Sequence, residues 1–123
     1  MSTTARILVV EDDAMIRAAV VTALQDEGYD VLEAADGLEA LDLLAEPLPA
    51  LLLLDLWLPN LDGPGLARAL RESGLKVPIL VMTASRGVVQ HSAAVDAAGW
   101  ISKPFELEEL LAAVARLADP AGR

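Results

Sequence analysis

The chain has 123 residues, 54% of them hydrophobic, and carries 19 acidic against 9 basic side chains for a net charge of −10. That length suits one domain with a sizeable core, and the acidic balance repels a phosphate backbone, so direct nucleic-acid binding is not expected. The absence of cysteine excludes disulfides, thiolate metal sites and thiol catalysis. No segment reaches the roughly 18 to 20 apolar residues needed to span a bilayer, and Met1-Ser2-Thr3-Thr4-Ala5-Arg6 lacks the order of a secretory signal, so a cytoplasmic protein without membrane insertion is expected.

Strand-like and helix-like patterns alternate along the chain. Ile7-Leu8-Val9-Val10 is an uninterrupted apolar run, as in a strand buried on both faces. Asp12 or Asp13 can cap a following helix whose apolar positions Met15, Ile16, Ala19, Val20, Ala23 and Leu24 recur at helical spacing until Gly28. Tyr29 to Glu33 reads as a second strand. Asp36-Gly37 opens a second helix to about Ala45, with Leu38, Leu41 and Leu44 on one face and Pro47 and Pro49 beyond it.

Leu51-Leu52-Leu53-Leu54-Asp55 is a third strand, and the turn-rich Leu58-Pro59-Asn60-Leu61-Asp62-Gly63 follows it closely. Pro64 to Ser73 reads as a helix with proline in its first turn and Gly74 after it. Val77 to Met82 is a fourth strand, and Gly87 to Ala98 carries only a ragged helical pattern. Trp100-Ile101-Ser102 is a brief fifth strand, and Glu106 to Leu117 a last helix with acidic residues in its first turn and Arg116 in its last. The whole is read as one domain over 1–123, with 119–123 a frayed tail or the start of a linker.

Five strands alternating with helices predict a doubly wound α/β domain with a parallel sheet and helices on both faces. Ligands of such sheets gather outside the carboxyl ends of the strands. Four strand ends carry reactive groups: Glu11 and Asp12, then Asp55, Thr83 and Lys103. With strand order 2-1-3-4-5 the carboxylates of the first and third strands converge. Asp55 is then a turn residue, a metal ligand or a nucleophile. Three clustered carboxylates need a cation or must hold protons, and oxygen-only donors favour a hard ion such as magnesium. Magnesium in turn suggests phosphoryl chemistry, with Asp55 as nucleophile, Lys103 as a point charge on a phosphoryl oxygen and Thr83 as a hydrogen-bond donor.

The segments Ile7-Leu8-Val9-Val10-Glu11-Asp12-Asp13, Asp55-Leu56-Trp57-Leu58-Pro59-Asn60-Leu61-Asp62-Gly63, Val81-Met82-Thr83-Ala84 and Lys103-Pro104-Phe105 together resemble the receiver domain of two-component response regulators. The resemblance covers nearly the whole chain and implies a flavodoxin-like (βα)5 three-layer sandwich. It implies that Asp55 accepts a phosphoryl group from a histidine kinase or a histidine phosphotransfer protein. Asp12, Asp55 and the Trp57 backbone carbonyl would bind Mg2+, with Glu11 acting mainly through metal-bound water. Thr83 and Lys103 would contact the phosphoryl group, and Lys103-Pro104 would be a cis peptide, whose cost proline lowers.

Trp100 matches the family's aromatic switch position, commonly Tyr or Phe, and would move inward as Thr83 is drawn to the phosphoryl group. The altered face would then meet a downstream protein target, an output domain or, in a phosphorylation-dependent dimer, a second copy. Such a module is not an enzyme on other substrates; it catalyses only its own phosphorylation and dephosphorylation.

The chain departs from the family in two places. Ala97-Ala98-Gly99 runs directly into Trp100 without the usual polar pair, and Trp57 is bulky for its position, where it is expected to shield the acyl phosphate from water. Two other functions stand beside this reading. A degenerate receiver would act as a phosphorylation-independent interaction scaffold, against which the complete set Glu11, Asp12, Asp55, Thr83 and Lys103 argues. A magnesium-dependent phosphatase with an aspartyl nucleophile would place an acid where Trp57 stands. Asp13 reads equally as a helix cap or as a third metal ligand and is left out of the site, Asp62-Gly63 reads as turn chemistry and the lone His91 as a surface residue.

Overall fold

The computed structural model describes residues 5–44, 48–55, 63–74, 76–83 and 97–118, with backbone alone for 63, 64 and 83. Five strands, β1 (Arg6–Val10), β2 (Asp30–Ala34), β3 (Leu51–Asp55), β4 (Ile79–Thr83) and β5 (Gly99–Ser102), form one parallel sheet in the order β2-β1-β3-β4-β5. Around it lie α1 (Ala14–Asp26), α2 (Gly37–Leu43), α3 (Gly63–Glu72) and α4 (Leu107–Ala118). The predicted strand order and α/β class are those observed. The ragged helical pattern falls largely on 87–96, outside the described residues, as do Leu58 to Asp62 of the expected turn, His91 and the 119–123 tail, while Gly63, the last residue of that turn, already begins α3.

The alternation of side chains along each strand divides the core into two layers. Leu8, Val10, Leu52, Leu54, Ile79 and Val81 point to the face covered by α2 and α3, where they meet Ala40, Leu44, Leu66, Ala67 and Leu70. Ile7, Val9, Leu51, Leu53, Leu80, Met82 and Ile101 point to the opposite face, against Val20, Val21 and Leu24 of α1 and Leu110, Ala113 and Val114 of α4. This two-sided burial explains why the first and third strands read as unbroken apolar runs, and it makes the molecule a three-layer sandwich.

The helix ends follow local chemistry. Asp13 caps α1, its Oδ1 accepting from the backbone N–H groups of Met15 at 2.9 Å and Ile16 at 3.1 Å. At the other end Gly28 takes a φ of +96°, with its N–H on the Gln25 carbonyl and the Tyr29 N–H on the Leu24 carbonyl, which is a Schellman cap. Asp36 caps α2 by accepting from the Glu39 N–H at Oδ1, and Glu39 Oε1 reaches back past the cap to accept from the Ala35 N–H, a variant of the capping box.

Several boundaries differ from the sequence reading, for physical reasons. Leu38 is 54% exposed, because the buried side of α2 is Ala40 and Leu44, with Leu41 and Leu43 only partly covered. Met15 and Ala19 face outward, since the buried stripe of α1 runs through Val20, Val21 and Leu24. β4 begins at Ile79 rather than Val77, because Pro78 has no N–H to give the ladder and contributes only its carbonyl, to the Leu52 N–H. Ala98 does not end a helix; its N–H donates to the Ile79 carbonyl at 2.8 Å and leads directly into β5, which starts one residue early at Gly99.

Candidate functional site

The sheet register brings the reactive strand ends to one edge. Val10 pairs with both Ala34 and Leu54, Asp55 with Met82, and Thr83 with Ser102, so Glu11, Asp55, Thr83 and Lys103 leave neighbouring strands at about one level. Glu11 and Asp55 are buried, at 1% and 6% exposure, and Asp12 beside them is exposed. One carboxylate oxygen from each of Glu11, Asp12 and Asp55 lies within 4.8 Å of the others.

Lys103 reaches this cluster from the end of β5, immediately before the cis Lys103-Pro104 peptide. Its Nζ donates to Glu11 Oε1 at 2.5 Å and to Asp55 Oδ2 at 3.0 Å. Burial, the largest influence on Glu11, pushes its carboxyl above the ordinary value. The Asp55 charge adds to this, and together they outweigh the Lys103 contact and the Asp13 N–H, which act in the opposite sense. Burial is also the largest single influence on Lys103 and alone would lower its pKa. The hydrogen bonds to Glu11 and Asp55 and their charges together outweigh it, so the ammonium holds its proton above the ordinary lysine value.

Three carboxylates against one ammonium leave a formal charge of −2 at the cluster. All three acidic donors are hard oxygens, so the set fits a divalent oxygen-seeking cation and would hold it through Glu11, Asp12 and Asp55. A cation held there would draw on the same Glu11 and Asp55 carboxylates that Lys103 contacts.

The sequence-predicted residues separate into two groups. Glu11, Asp12, Asp55 and Lys103 are brought together. Thr83 ends β4, next to the Asp55 strand, with its backbone alone described. Trp100 stands on β5 with 48% of its surface exposed. Trp57 lies outside the described residues. Asp13 is the α1 cap, and its N–H also donates to Glu11 Oε2 at 3.1 Å, so the cap residue helps to orient a site carboxylate.

One participant went unread in the sequence. Arg17, on α1, donates from Nη1 to the Glu11 backbone carbonyl at 2.8 Å and from Nε to Glu33 Oε1 at 3.1 Å. No local signal pairs residues 16 positions apart on a helix and a separate strand.

Residues 7–115 match the family model described as the response regulator receiver domain. The chain is 47% identical over 109 residues to the response regulator MprA of Mycobacterium avium, a match covering 87% of this chain and 48% of that protein, so the chain spans about half the length of the curated relatives it matches. Among solved structures it superposes on Vibrio cholerae chemotaxis protein CheY4 with a TM-score of 0.86 at 36% identity, covering 94% of this chain and 99% of that one. It superposes on the receiver domain of the Francisella response regulator 1452 with a TM-score of 0.87 at 28% identity, covering 96% and 99%. With the sheet order, the acidic pocket at the strand ends and these likenesses in agreement, the chain belongs to the response regulator receiver domain family of two-component signalling.

Proposed function

We propose that Asp55 is the phosphoacceptor of this receiver and that the chain works as a single module, phosphorylated in a magnesium-dependent reaction by a histidine kinase or a histidine phosphotransfer protein. The observation that carries this reading is the buried Asp55 carboxylate within reach of Glu11 and Asp12 and in contact with Lys103. An Asp55 oxygen attacks the phosphorus of a phosphohistidine, a P–O bond forms as the P–N bond breaks, and the imidazole leaves with the electron pair. Bound Mg2+ supplies positive charge against the carboxylates and the phosphoryl oxygens.

Lys103, already bonded to Asp55, turns its ammonium toward a phosphoryl oxygen as negative charge arrives. Thr83, at the end of the neighbouring strand, donates its hydroxyl to another oxygen. Trp100, half-exposed on β5, then moves inward and changes the surface that a downstream target, an output domain or a second copy meets. Trp57 contributes its backbone carbonyl to the metal and slows hydrolysis of the acyl phosphate.

Transfer of radiolabelled phosphate from a phosphorylated histidine kinase tests the reading. Wild type is expected to take up label only with Mg2+ present, and Asp55→Asn to take up none. Equal labelling of Asp55→Asn would overturn the assignment. An unlabelled wild type would instead favour a phosphorylation-independent scaffold.

A further inference from the structure

Resting on that reading of the metal site, we propose that Arg17 is a positioning residue for it, acting through the Glu11 backbone rather than by touching metal or phosphate. Residues 11–13 connect β1 to α1 and carry two of the three site carboxylates, so their backbone decides where Glu11 and Asp12 aim. Both ends of Glu11 are tied. Its N–H donates to the Ala34 carbonyl at the end of β2, at 3.1 Å, and its carbonyl accepts from Arg17 Nη1 at 2.8 Å.

The second bond matters most for Asp12. A peptide unit is planar, so anchoring the Glu11 oxygen orients the plane that also contains the Asp12 nitrogen and Cα. Rotation of that plane would swing Asp12 away from Glu11 and Asp55, which are held by the buried strand ends and by Lys103. The α1 side of the connection is closed independently: the Asp13 carbonyl accepts from the Arg17 N–H at 2.9 Å, and the Asp13 N–H rests on Glu11 Oε2.

The guanidinium suits this task because its rigid fork makes two differently directed bonds at once. Nε lies on Glu33 Oε1 of β2 at 3.1 Å, which holds the plane while Nη1 meets the carbonyl, and the Arg17 side chain is 20% exposed. A lysine places one flexible ammonium and cannot reproduce the pair.

A merely structural role, fastening α1 to β2, makes a different prediction, and calorimetric Mg2+ titration beside thermal melts separates the two. Arg17→Ala is expected to weaken Mg2+ binding about tenfold, the effect of losing a group that orients a metal ligand. Arg17→Lys is expected to weaken it by about threefold to fivefold, and Glu33→Gln, which leaves the carbonyl bond in place, by less than either. Val21→Ala, a cavity in the same helix remote from the turn, is expected to lower the melting temperature with no change in Mg2+ affinity.

An Arg17→Ala affinity within about twofold of wild type, or an equal loss in Val21→Ala, overturns the positioning role. If Arg17→Ala does not fold, Arg17→Lys decides by the same comparison. A wild type that binds no Mg2+ overturns the reading of the site itself, and the Arg17 role with it.

Discussion

Lys103 lies between two buried carboxylates, and its charge matters to stability as well as to chemistry. With its folded pKa held above the ordinary lysine value, its contribution is fully present below about pH 10.5, the unfolded value, and is lost as pH rises through the folded value. Glu11 is also raised, so its favourable share belongs below about pH 4.5 and disappears as pH rises above it; at neutral pH its ionisation works against folding. Lys103→Met leaves two buried carboxylates without their cation and is expected to cost about 3 kcal/mol at pH 7 in urea unfolding without metal. That gap between wild type and variant should narrow above about pH 10.5. A gap that stays constant up to pH 12 would show that the ammonium's charge is not what stabilises the site.

The elements were legible wherever burial or a cap dominated the local sequence. β1 and β3 lie in the middle of the sheet with helices on both sides, so nearly every position had to be apolar, and both runs were visible. A cap at Asp12 or Asp13 and the stop at Gly28 were likewise local chemistry, and the structure selects Asp13. Gly28→Ala tests the second: the cap demands a φ of +96°, which a Cβ disfavours, and with no atom within 4 Å of that Cβ the whole cost is conformational. Urea unfolding should show a loss of about 1 kcal/mol, and no loss would mean that the Schellman cap does not hold the end of α1. Short elements were read less well. In α2 the repeat of Leu38, Leu41 and Leu44 found the core at Leu44 and, in part, at Leu41, but Leu38 stays exposed because the helix turns Ala40 inward, where a small side chain permits close approach to the sheet.

At the scale of the whole molecule, the pocket gathers more negative than positive charge where strands from distant parts of the chain end. A folded state with such a pocket binds a divalent ion that the unfolded chain holds far more weakly, so the ion stabilises the fold by mass action. At a Mg2+ concentration about 100 times the dissociation constant, the gain is about 2.7 kcal/mol, or a rise of about 10 °C in melting temperature for a domain of this size. A chelator should reverse it, and Asp55→Asn should show less than half the rise. An equal rise in the variant would place the ion somewhere other than this pocket.

The α/β class and the identity of the residues at the strand ends can be read from the linear chain, whereas the strand order was expected only from the resemblance to receivers and is set by pairing between distant segments. Apolar periodicity and caps act between near neighbours, and the reactive groups stand in motifs that survive as linear order. Which of these groups meet is settled by the packed fold: Lys103 joins Glu11 to Asp55, the α1 cap also orients a site carboxylate, and Arg17 ties the same turn to β2. Those contacts span up to 92 positions and depend on register and helix placement, which no local pattern encodes. The physical reason is that a buried charge is tolerated only where folding brings it a partner, and the partner is chosen by the packing of the sheet.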